Sequence, residues 1–199
     1  MTGTMSDQPS QPTKKELRAT ALAARDALPV ADRRRAAQAI AMRRFPFPLG
    51  EGTVVAGYSP IRSECDPVPL MRSLAAKGSQ LALPVVHEKD KELTFSEWRQ
   101  GGQLILGPYG ILQPRSEAAP LEPDVVLVPL VAFDRRCRRI GYGAGYYDRT
   151  LADLRKRKVV IAVGIAFAAQ EVEAVPHDEH DQRLDLVLTE REIVDFRSG

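Results

Sequence analysis

The sequence has little of several features that mark common classes of protein. Its two cysteines, Cys65 and Cys137, are too few for a disulfide scaffold, and neither belongs to a CxxC pair of the kind that binds zinc or does redox chemistry. No segment approaches the roughly 20 consecutive apolar residues that cross a bilayer. Residues 1–13 are polar and lack the apolar core of a secretory signal. We therefore expect reduced thiols, a cytoplasmic location and no membrane partner.

Charge of one sign is also not in excess. The chain of 199 residues carries 28 basic and 26 acidic side chains, so its formal charge of +2 does not favour a polyanionic partner. Short basic runs at residues 33–35, 135–139 and 155–158 suit phosphate or carboxylate groups, or simply a solvated surface. Because no recognised nucleic-acid module accompanies them, we predict no nucleic acid among the partners.

The pattern along the chain predicts a single domain preceded by a short leader. Residues 1–12 mix serine, glutamine, proline and threonine without periodicity, which is typical of disorder. A capping box, Thr13-Lys14-Lys15-Glu16, then starts a helix whose apolar positions recur at helical spacing as far as Leu28. The domain is therefore predicted to span residues 13–199.

Beyond a second predicted helix at residues 31–44, short apolar segments alternate with helical ones. The predicted strands are residues 53–58, 80–86, 93–98, 124–129, 159–165 and 184–188. The predicted helices between them are residues 67–76 and 146–156. Residues 101–123, rich in glycine and proline, are expected to be a surface excursion near the site. This alternation indicates an α/β fold of three layers, Rossmann-like, with a mostly parallel sheet flanked by helices and a ligand crevice at the carboxyl ends of the strands.

The segment with the clearest chemistry is Gly141-Tyr142-Gly143-Ala144-Gly145, which follows a predicted strand and opens a helix. Alternate glycines let backbone amides approach a ligand, and a helix start attracts negative charge, so the segment suits phosphate. It is not a dinucleotide fingerprint, because Tyr146 stands where the third glycine should be, and no Gly-Lys-Ser/Thr follows to make a Walker A loop. A flexible turn without a ligand is the alternative.

Four side chains that follow the glycines leave alternatives open. Tyr146 can stack on a ring or donate a hydrogen bond, whereas Tyr147 continues the apolar stripe of the predicted helix. Asp148 can bind Mg²⁺ or complement the helix dipole. Arg149 can contact phosphate or be solvated.

Two further groups of charged residues are candidates for ligand contacts. Lys14, Arg18 and Arg25 share one face of the first helix, where they either present positive charge to a triphosphate or form the solvated face of an amphipathic helix. His177 and His180 stand among acids with no further His or Cys ligand nearby, so Mg²⁺ bound by oxygen atoms is favoured over zinc.

The glycine segment and the strand before it carry a family resemblance. Joined to Val128-Pro129-Leu130-Val131-Ala132-Phe133-Asp134, the run at residues 140–148 resembles the motif of 5-formyltetrahydrofolate cyclo-ligases. Further features of that family recur in order at residues 14–18, 59–64, 93–98, 109–114, 164–170, 176–181 and 184–185, so that the resemblance covers about residues 13–190. It implies an enzyme that converts 5-formyltetrahydrofolate and ATP to 5,10-methenyltetrahydrofolate, ADP and phosphate, by phosphorylation of the formyl oxygen and attack by N10.

The resemblance also implies roles for individual residues. It assigns ATP to Lys14, Lys15, Arg18, Arg139, Ile140, Gly141, Tyr142, Gly143, Ala144, Gly145, Tyr146 and Tyr147. It assigns the folate to Ser59, Glu64, Trp98 and Tyr146. Mg²⁺, the implied cofactor, belongs with Asp148 and Asp181, and the implied catalytic side chains are Tyr146 and Arg149. The alternatives are an ordinary surface role for Glu64 and a core role for Trp98. A monomer is expected.

Three residues depart from the family pattern. Cys137 and Leu130 replace frequent glycines, and Ala144 replaces a frequent glycine or lysine. We therefore expect the turn at residues 135–139 to differ from that of the family. Two other functions stay open on the sequence alone: a phosphotransferase with another heterocyclic substrate, and a protein that binds nucleotide or folate without turnover.

Overall fold

A computed structural model of the protein describes residues 12–197. The predicted disordered leader, residues 1–12, therefore lies outside the described residues except for Pro12. Within the described range, no helix is long and apolar enough to cross a membrane.

Eleven strands and four α-helices are found among the described residues. The helices are α1 (Lys14–Asp26), α2 (Val30–Ala41), α3 (Val68–Ala75) and α4 (Tyr146–Arg157). The strands are β1 (Val54–Ala56), β2 (Gln80–Val85), β3 (Thr94–Glu97), β4 (Leu104–Leu106), β5 (Leu112–Pro114), β6 (Val125–Pro129), β7 (Ala132–Phe133), β8 (Arg139–Ile140), β9 (Ile161–Ile165), β10 (Leu186–Leu188) and β11 (Ile193–Asp195).

Seven of these strands form the central sheet, in the order β11-β10-β9-β6-β1-β2-β3. The five inner strands are parallel, and the edge strands β3 and β11 are antiparallel to their neighbours. Counting only the parallel strands along the chain, their spatial order is 2-1-3-4-5, a doubly wound arrangement whose connections reverse direction between the first and third strands. That reversal lies between β1 and β6, where such folds bind their ligands.

Two hydrophobic cores cover the two faces of the sheet, because successive side chains of a strand point to opposite faces. On β6, Leu127 belongs to the core beneath α2 and α3, whereas Val126 and Val128 belong to the core beneath α4. All three side chains are fully buried. This packing confirms the predicted three-layer α/β fold with a mostly parallel sheet.

Helix α1 belongs to neither core. The predicted capping box is present: the Thr13 hydroxyl accepts a hydrogen bond from the Glu16 amide, and Glu16 accepts one from the Thr13 amide. From this start the helix packs Ala21 against Ala132 and Ile140, in the short hairpin that β7 and β8 form. Since this hairpin follows the carboxyl end of β6, α1 lies at the ligand-binding edge of the sheet.

The sequence-based element list is wrong in three places. The strand set does not end at residue 188, because β11 pairs with β10. The region 101–123 contains a hairpin of β4 and β5, and the segment after β6 contains the β7–β8 hairpin. Length alone does not explain these errors, because the sequence predicts the equally short β1 and β10. The missed strands lie among glycine, proline or charged residues, which weaken a strand pattern.

Candidate active site

The crevice between the carboxyl ends of β1 and β6 has three walls. The first is the loop after β1, which includes Ser63 and Glu64. The second is the segment after β6, which runs through Leu130 to the glycine segment at residues 141–145. Helix α1 forms the third, since Arg25 hydrogen-bonds to both of the other walls.

The glycine segment is folded into a tight approach to α4. Gly143 and Gly145 have φ angles of 98° and 68°, a left-handed conformation that side chains rarely adopt. Gly145 is the N-cap of α4, so no side chain at that position caps the first amides of the helix. Arg18 donates a hydrogen bond from Nε to the Gly141 carbonyl at 2.8 Å. Backbone amides and a guanidinium thus lie together, an arrangement that suits phosphate.

A charged cleft of about 380 Å³ lies beside this segment. Its lining residues are Arg138, Arg139, His177, Asp178, Glu179, Asp181, Gln182 and Arg183. Lys14 contributes an ammonium group that bonds to Asp178 at 2.7 Å and to Asp181 at 2.6 Å. Burial lowers the pKa of Lys14, but the two carboxylates outweigh it and hold the pKa above its ordinary value. Lys14 therefore stays charged at neutral pH.

Asp148 and Asp181, the two acids assigned to Mg²⁺, lie close together, because Asp148 contacts the residue that follows Asp181. Asp148 Oδ1 accepts hydrogen bonds from Arg139 at 2.8 Å and from the Gln182 amide at 2.9 Å. Asp181, the residue before Gln182, accepts from Lys14 through Oδ2. Within residues 12–197, Asp148 Oδ2 and Asp181 Oδ1 accept no hydrogen bond, and no group of three or more His, Cys, Asp or Glu side chains forms a complete metal site. Mg²⁺ commonly binds one or two carboxylates plus substrate phosphates, so these donors fit an ion that arrives with a nucleotide.

Glu64 lies in a buried polar cluster and not on the surface. Its side chain is 9% exposed, and Oε2 accepts a hydrogen bond from the Ile61 amide at 2.8 Å. Burial raises the pKa of Glu64, while the Ile61 amide, Arg25, Tyr142 and Arg62 oppose the rise. The surface-acid alternative for Glu64 is therefore wrong. A carboxylate held in this way can accept hydrogen bonds from a planar group with adjacent N–H donors.

Aromatic side chains form the outer part of the crevice. The Tyr146 hydroxyl donates to the Tyr109 hydroxyl at 3.1 Å, and the two rings meet edge to face with their centroids 6.1 Å apart. Arg149 lies over the Tyr146 ring at 5.3 Å and donates to the Ala144 carbonyl. Tyr147 packs into the core beneath α4, and burial raises its pKa. Tyr146 and Tyr147 both pack against the core beneath α4, but only Tyr146 also contacts Tyr109 and Arg149.

Tyr109 was not assigned a role from the sequence. It lies at the turn of the β4–β5 hairpin, with a φ of 60° and 63% of its surface exposed. Ser59 fixes this hairpin by donating from its hydroxyl to the Leu112 carbonyl at 2.6 Å, which places Ser59 beside the crevice. A non-glycine residue in the left-handed region is uncommon, but that conformation cannot be foreseen from the sequence alone.

Trp98 and Arg25 do not occupy the places predicted for them. The Trp98 amide donates to the carbonyl of Leu81, near the amino end of β2, roughly 13 Å along the strand from its carboxyl end. Trp98 packs against the core beneath α2 and α3 and lines a separate, shallow depression. Arg25 is fully buried. The prediction that it shares an accessible row of positive charge with Lys14 and Arg18 is therefore wrong. Lys15 is exposed, and its side chain makes no hydrogen bond to residues 12–197.

The residues that depart from the family pattern are accommodated in the fold. Cys137 has a φ of 61°, so it adopts the left-handed conformation for which a glycine is suited. Asp134 stabilises the turn by accepting from the amides of Arg136 and Arg138 at 2.8 and 3.1 Å. Leu130 is buried against the face of Gly164. The Cys137 substitution therefore leaves a tight turn between β7 and β8, at a conformational cost.

The fold is that of a doubly wound α/β enzyme, a class whose members bind ligands at the carboxyl ends of the parallel strands, where the strand order reverses. A sequence profile of the 5-formyltetrahydrofolate cyclo-ligase family matches residues 10–190, and the chain belongs to that family. The 5-formyltetrahydrofolate cyclo-ligase of Mycolicibacterium smegmatis is 32% identical over 194 residues, which cover 93% of this chain and 98% of the relative. The Escherichia coli K12 protein of the same name is 33% identical over 153 residues, which cover 74% and 83%.

Solved structures show the same fold. A 5,10-methenyltetrahydrofolate synthetase from Aquifex aeolicus superposes with a TM-score of 0.77 at 32% identity, covering 94% of each chain. Another, from Mycoplasma pneumoniae, gives a TM-score of 0.71 at 26% identity, covering 90% of this chain and 99% of the other. Over nearly its full described length, the chain is thus similar to two proteins named 5,10-methenyltetrahydrofolate synthetase.

Proposed function

We propose that the protein converts 5-formyltetrahydrofolate and ATP to 5,10-methenyltetrahydrofolate, ADP and phosphate. The observation that supports this most directly is the place of Glu64, a buried carboxylate at the switch point of the sheet, next to a glycine segment that suits phosphate. The buried carboxylate suits the N–H groups of a folate, and the glycine segment suits the phosphates of a nucleotide. The names of the relatives support the same reaction.

The chemistry explains why ATP is needed. The formyl group on N5 is an amide, and its oxygen is a poor leaving group. Transfer of the γ-phosphoryl group to that oxygen releases ADP and forms an imidate phosphate. N10 then attacks the formyl carbon and loses its proton, and the C–O bond breaks to release phosphate and leave the methenyl bridge. Such a reaction asks the protein mainly for positioning and charge neutralisation.

Glu64 is suited to the pterin. Its carboxylate can accept from the exocyclic amino group and the adjacent ring N–H at once, a bidentate contact that fixes the ring. Arg25 and Arg62 lower its pKa against the effect of burial, which favours the ionised form that this contact requires. Tyr146 and Tyr109 offer aromatic surface at the outer part of the same crevice.

Positive groups on the other side of the crevice are suited to the nucleotide. The amides at the start of α4 and the Nη groups of Arg18 are available to the triphosphate. The ammonium of Lys14 is paired with Asp178 and Asp181, so it would contact the triphosphate when phosphate oxygens and Mg²⁺ replace these ion pairs. Asp148 and Asp181 would hold Mg²⁺, which neutralises phosphate charge when it is bound. Arg149, over the Tyr146 ring, is a further cation beside the glycine segment and is proposed to stabilise the transferred phosphoryl group.

An absorbance assay tests the proposal. Purified protein is mixed with 5-formyltetrahydrofolate and Mg·ATP, and the methenyl product is followed in the near ultraviolet while ADP is measured in parallel. We expect both products, each dependent on both substrates. ADP formation with another heterocycle and none with the folate would favour the phosphotransferase, and folate binding without ADP would favour the binding protein. The monomeric state, the cytoplasmic location and the lack of a nucleic-acid partner stay predictions.

A further inference from the structure

Arg25 is the largest side chain that the fold buries completely, with 1% of its surface exposed. It donates from Nε to the Ser63 hydroxyl at 3.0 Å, from Nη1 to the Leu130 carbonyl at 3.4 Å and from Nη2 to the Tyr142 hydroxyl at 2.5 Å. Each acceptor belongs to a different segment: the loop after β1, the segment after β6 and the glycine segment. One guanidinium therefore joins the segments on both sides of the crevice.

The partners of Arg25 are unusual for a buried charge. All three acceptors are neutral, and within residues 12–197 no carboxylate forms an ion pair with the guanidinium. The charge of Arg25 acts on the Glu64 carboxylate without a direct ion pair. A buried charge is costly to desolvate, and apolar residues fill such positions at least as stably. Stability alone thus gives no reason for an arginine here.

The polar contacts around Arg25 lead to Glu64. Ser63, which accepts from Arg25 and donates to Asp26, directly precedes Glu64 in the chain. The Tyr142 hydroxyl, which also accepts from Arg25, lies close enough to Glu64 that the two influence each other's ionisation. Arg25 also stacks over the Tyr142 ring at 5.5 Å from its centroid. The hydrogen bonds from Arg25 to Ser63 and to the Tyr142 hydroxyl therefore hold two neighbours of Glu64 in place.

We propose that Arg25 is a positioning residue of the folate site, which fixes Glu64 and Tyr142 relative to each other before the substrate binds. This proposal rests on the proposed function, because it assigns the pterin to Glu64. Arg25 itself is too deeply buried to reach a substrate. Its effect is therefore expected on folate binding more than on ATP binding, since Lys14 and Arg18 make their contacts independently of it.

The test is a double-mutant cycle with Arg25→Lys and Tyr142→Phe. Lysine keeps the charge but cannot reach all three acceptors. Phenylalanine removes only the Tyr142 hydroxyl and keeps the backbone of the glycine segment, through which that segment is suited to ATP phosphates. Each change is expected to raise the KM for 5-formyltetrahydrofolate about tenfold, as the loss of a hydrogen bond to a charged group does, and the KM for ATP less than threefold. Because the contact between Arg25 and the Tyr142 hydroxyl is lost in both single variants, the double variant should resemble Arg25→Lys, and the two effects should not add. Arg43→Lys is the matched control, since it removes a guanidinium that binds the carbonyls of Thr189 and Glu190 outside this cluster. It should lower the melting temperature and leave both KM values unchanged.

Direct binding of 5-formyltetrahydrofolate, measured by calorimetry without ATP, separates this proposal from the proposed function. If the wild-type protein binds folate but is inactive, the proposed cyclisation is wrong. The role of Arg25 is then tested by the same double-mutant cycle, with the Kd for folate measured in place of the KM. Additive effects, or wild-type folate affinity in Tyr142→Phe, would overturn the positioning role. If Arg25→Lys does not fold, Tyr142→Phe alone decides the question, because its side chain is only half-buried.

Discussion

Replacing Glu64 with glutamine should weaken folate binding but leave the stability of the fold unchanged or slightly higher. The substitution keeps the shape of the side chain and an oxygen for the Ile61 amide but removes the charge. Charge-assisted hydrogen bonds contribute about 1.5–3 kcal/mol, so the KM for 5-formyltetrahydrofolate should rise about 10- to 100-fold while the KM for ATP stays nearly constant. The assay is the formation of methenyl product at saturating ATP.

The stability effect follows from the pKa of the buried carboxyl. Burial raises the pKa of Glu64 in the folded protein above its ordinary value of 4.5, so the folded state prefers the protonated form. The contribution of this group to stability is therefore largest below the unfolded pKa and is lost as the pH rises through the folded pKa. At neutral pH the neutral glutamine should leave the free energy of unfolding equal to, or up to about 1 kcal/mol above, that of the wild type.

The same reasoning predicts a pH profile. Folate binding needs the carboxylate, so the KM for folate should be flat above the folded pKa of Glu64 and rise about tenfold per pH unit below it. In Glu64→Gln this dependence should disappear. Glu190→Gln is the control, since that carboxylate also accepts a backbone amide, from Ala168 at 2.9 Å. A Glu64→Gln variant with the folate KM and pH profile of the wild type would refute the assignment of the pterin to this side chain.

Three other substitutions test other parts of the account. Asp148→Asn should abolish product formation with Mg·ATP, because it weakens the bond to Arg139 and removes a carboxylate proposed to hold Mg²⁺. A folded variant, checked by circular dichroism, with near-normal turnover would exclude Asp148 from the site. Trp98→Phe should lower the urea midpoint but leave both KM values unchanged, since the indole lies at the far edge of the sheet, and a folate-specific KM increase would contradict this. Cys137→Gly should raise the free energy of unfolding by about 0.5–1 kcal/mol by removing left-handed strain, and a loss of stability in urea titrations would count against that reason.

The sequence predicts the central sheet well because long apolar segments specify it. The strand at β6 is buried on both faces, so its continuous run of valines and leucines was sufficient to identify it. The capping box at Thr13 placed the start of α1 for a similar reason, since its four residues satisfy the helix amides locally. By contrast, β7 and β8 have two residues each and are held by tertiary pairing, which leaves no local signal.

The sequence predicts the positions of site residues where neighbouring residues determine the local conformation. It predicts them less well where contacts with distant parts of the chain determine them. The glycine segment opens α4 as the sequence indicates, because the conformation of a glycine turn and the start of a helix depend on adjacent residues. The role of Asp148 stays a prediction. Arg25 was predicted to be exposed on the basis of helical spacing, and that spacing contains no information on what packs against the helix. Its partners are 38, 105 and 117 residues away along the chain, and only the fold brings them together.

The central claim is that ATP activates the formyl oxygen, and an isotope measurement tests it most directly. 5-Formyltetrahydrofolate labelled with ¹⁸O in the formyl group is converted with unlabelled Mg·ATP, and the released phosphate is analysed by mass spectrometry. The account predicts one ¹⁸O atom in each phosphate, one ADP and one methenyl product per turnover. Unlabelled phosphate accompanying the product, or ATP hydrolysis without cyclisation, would contradict it.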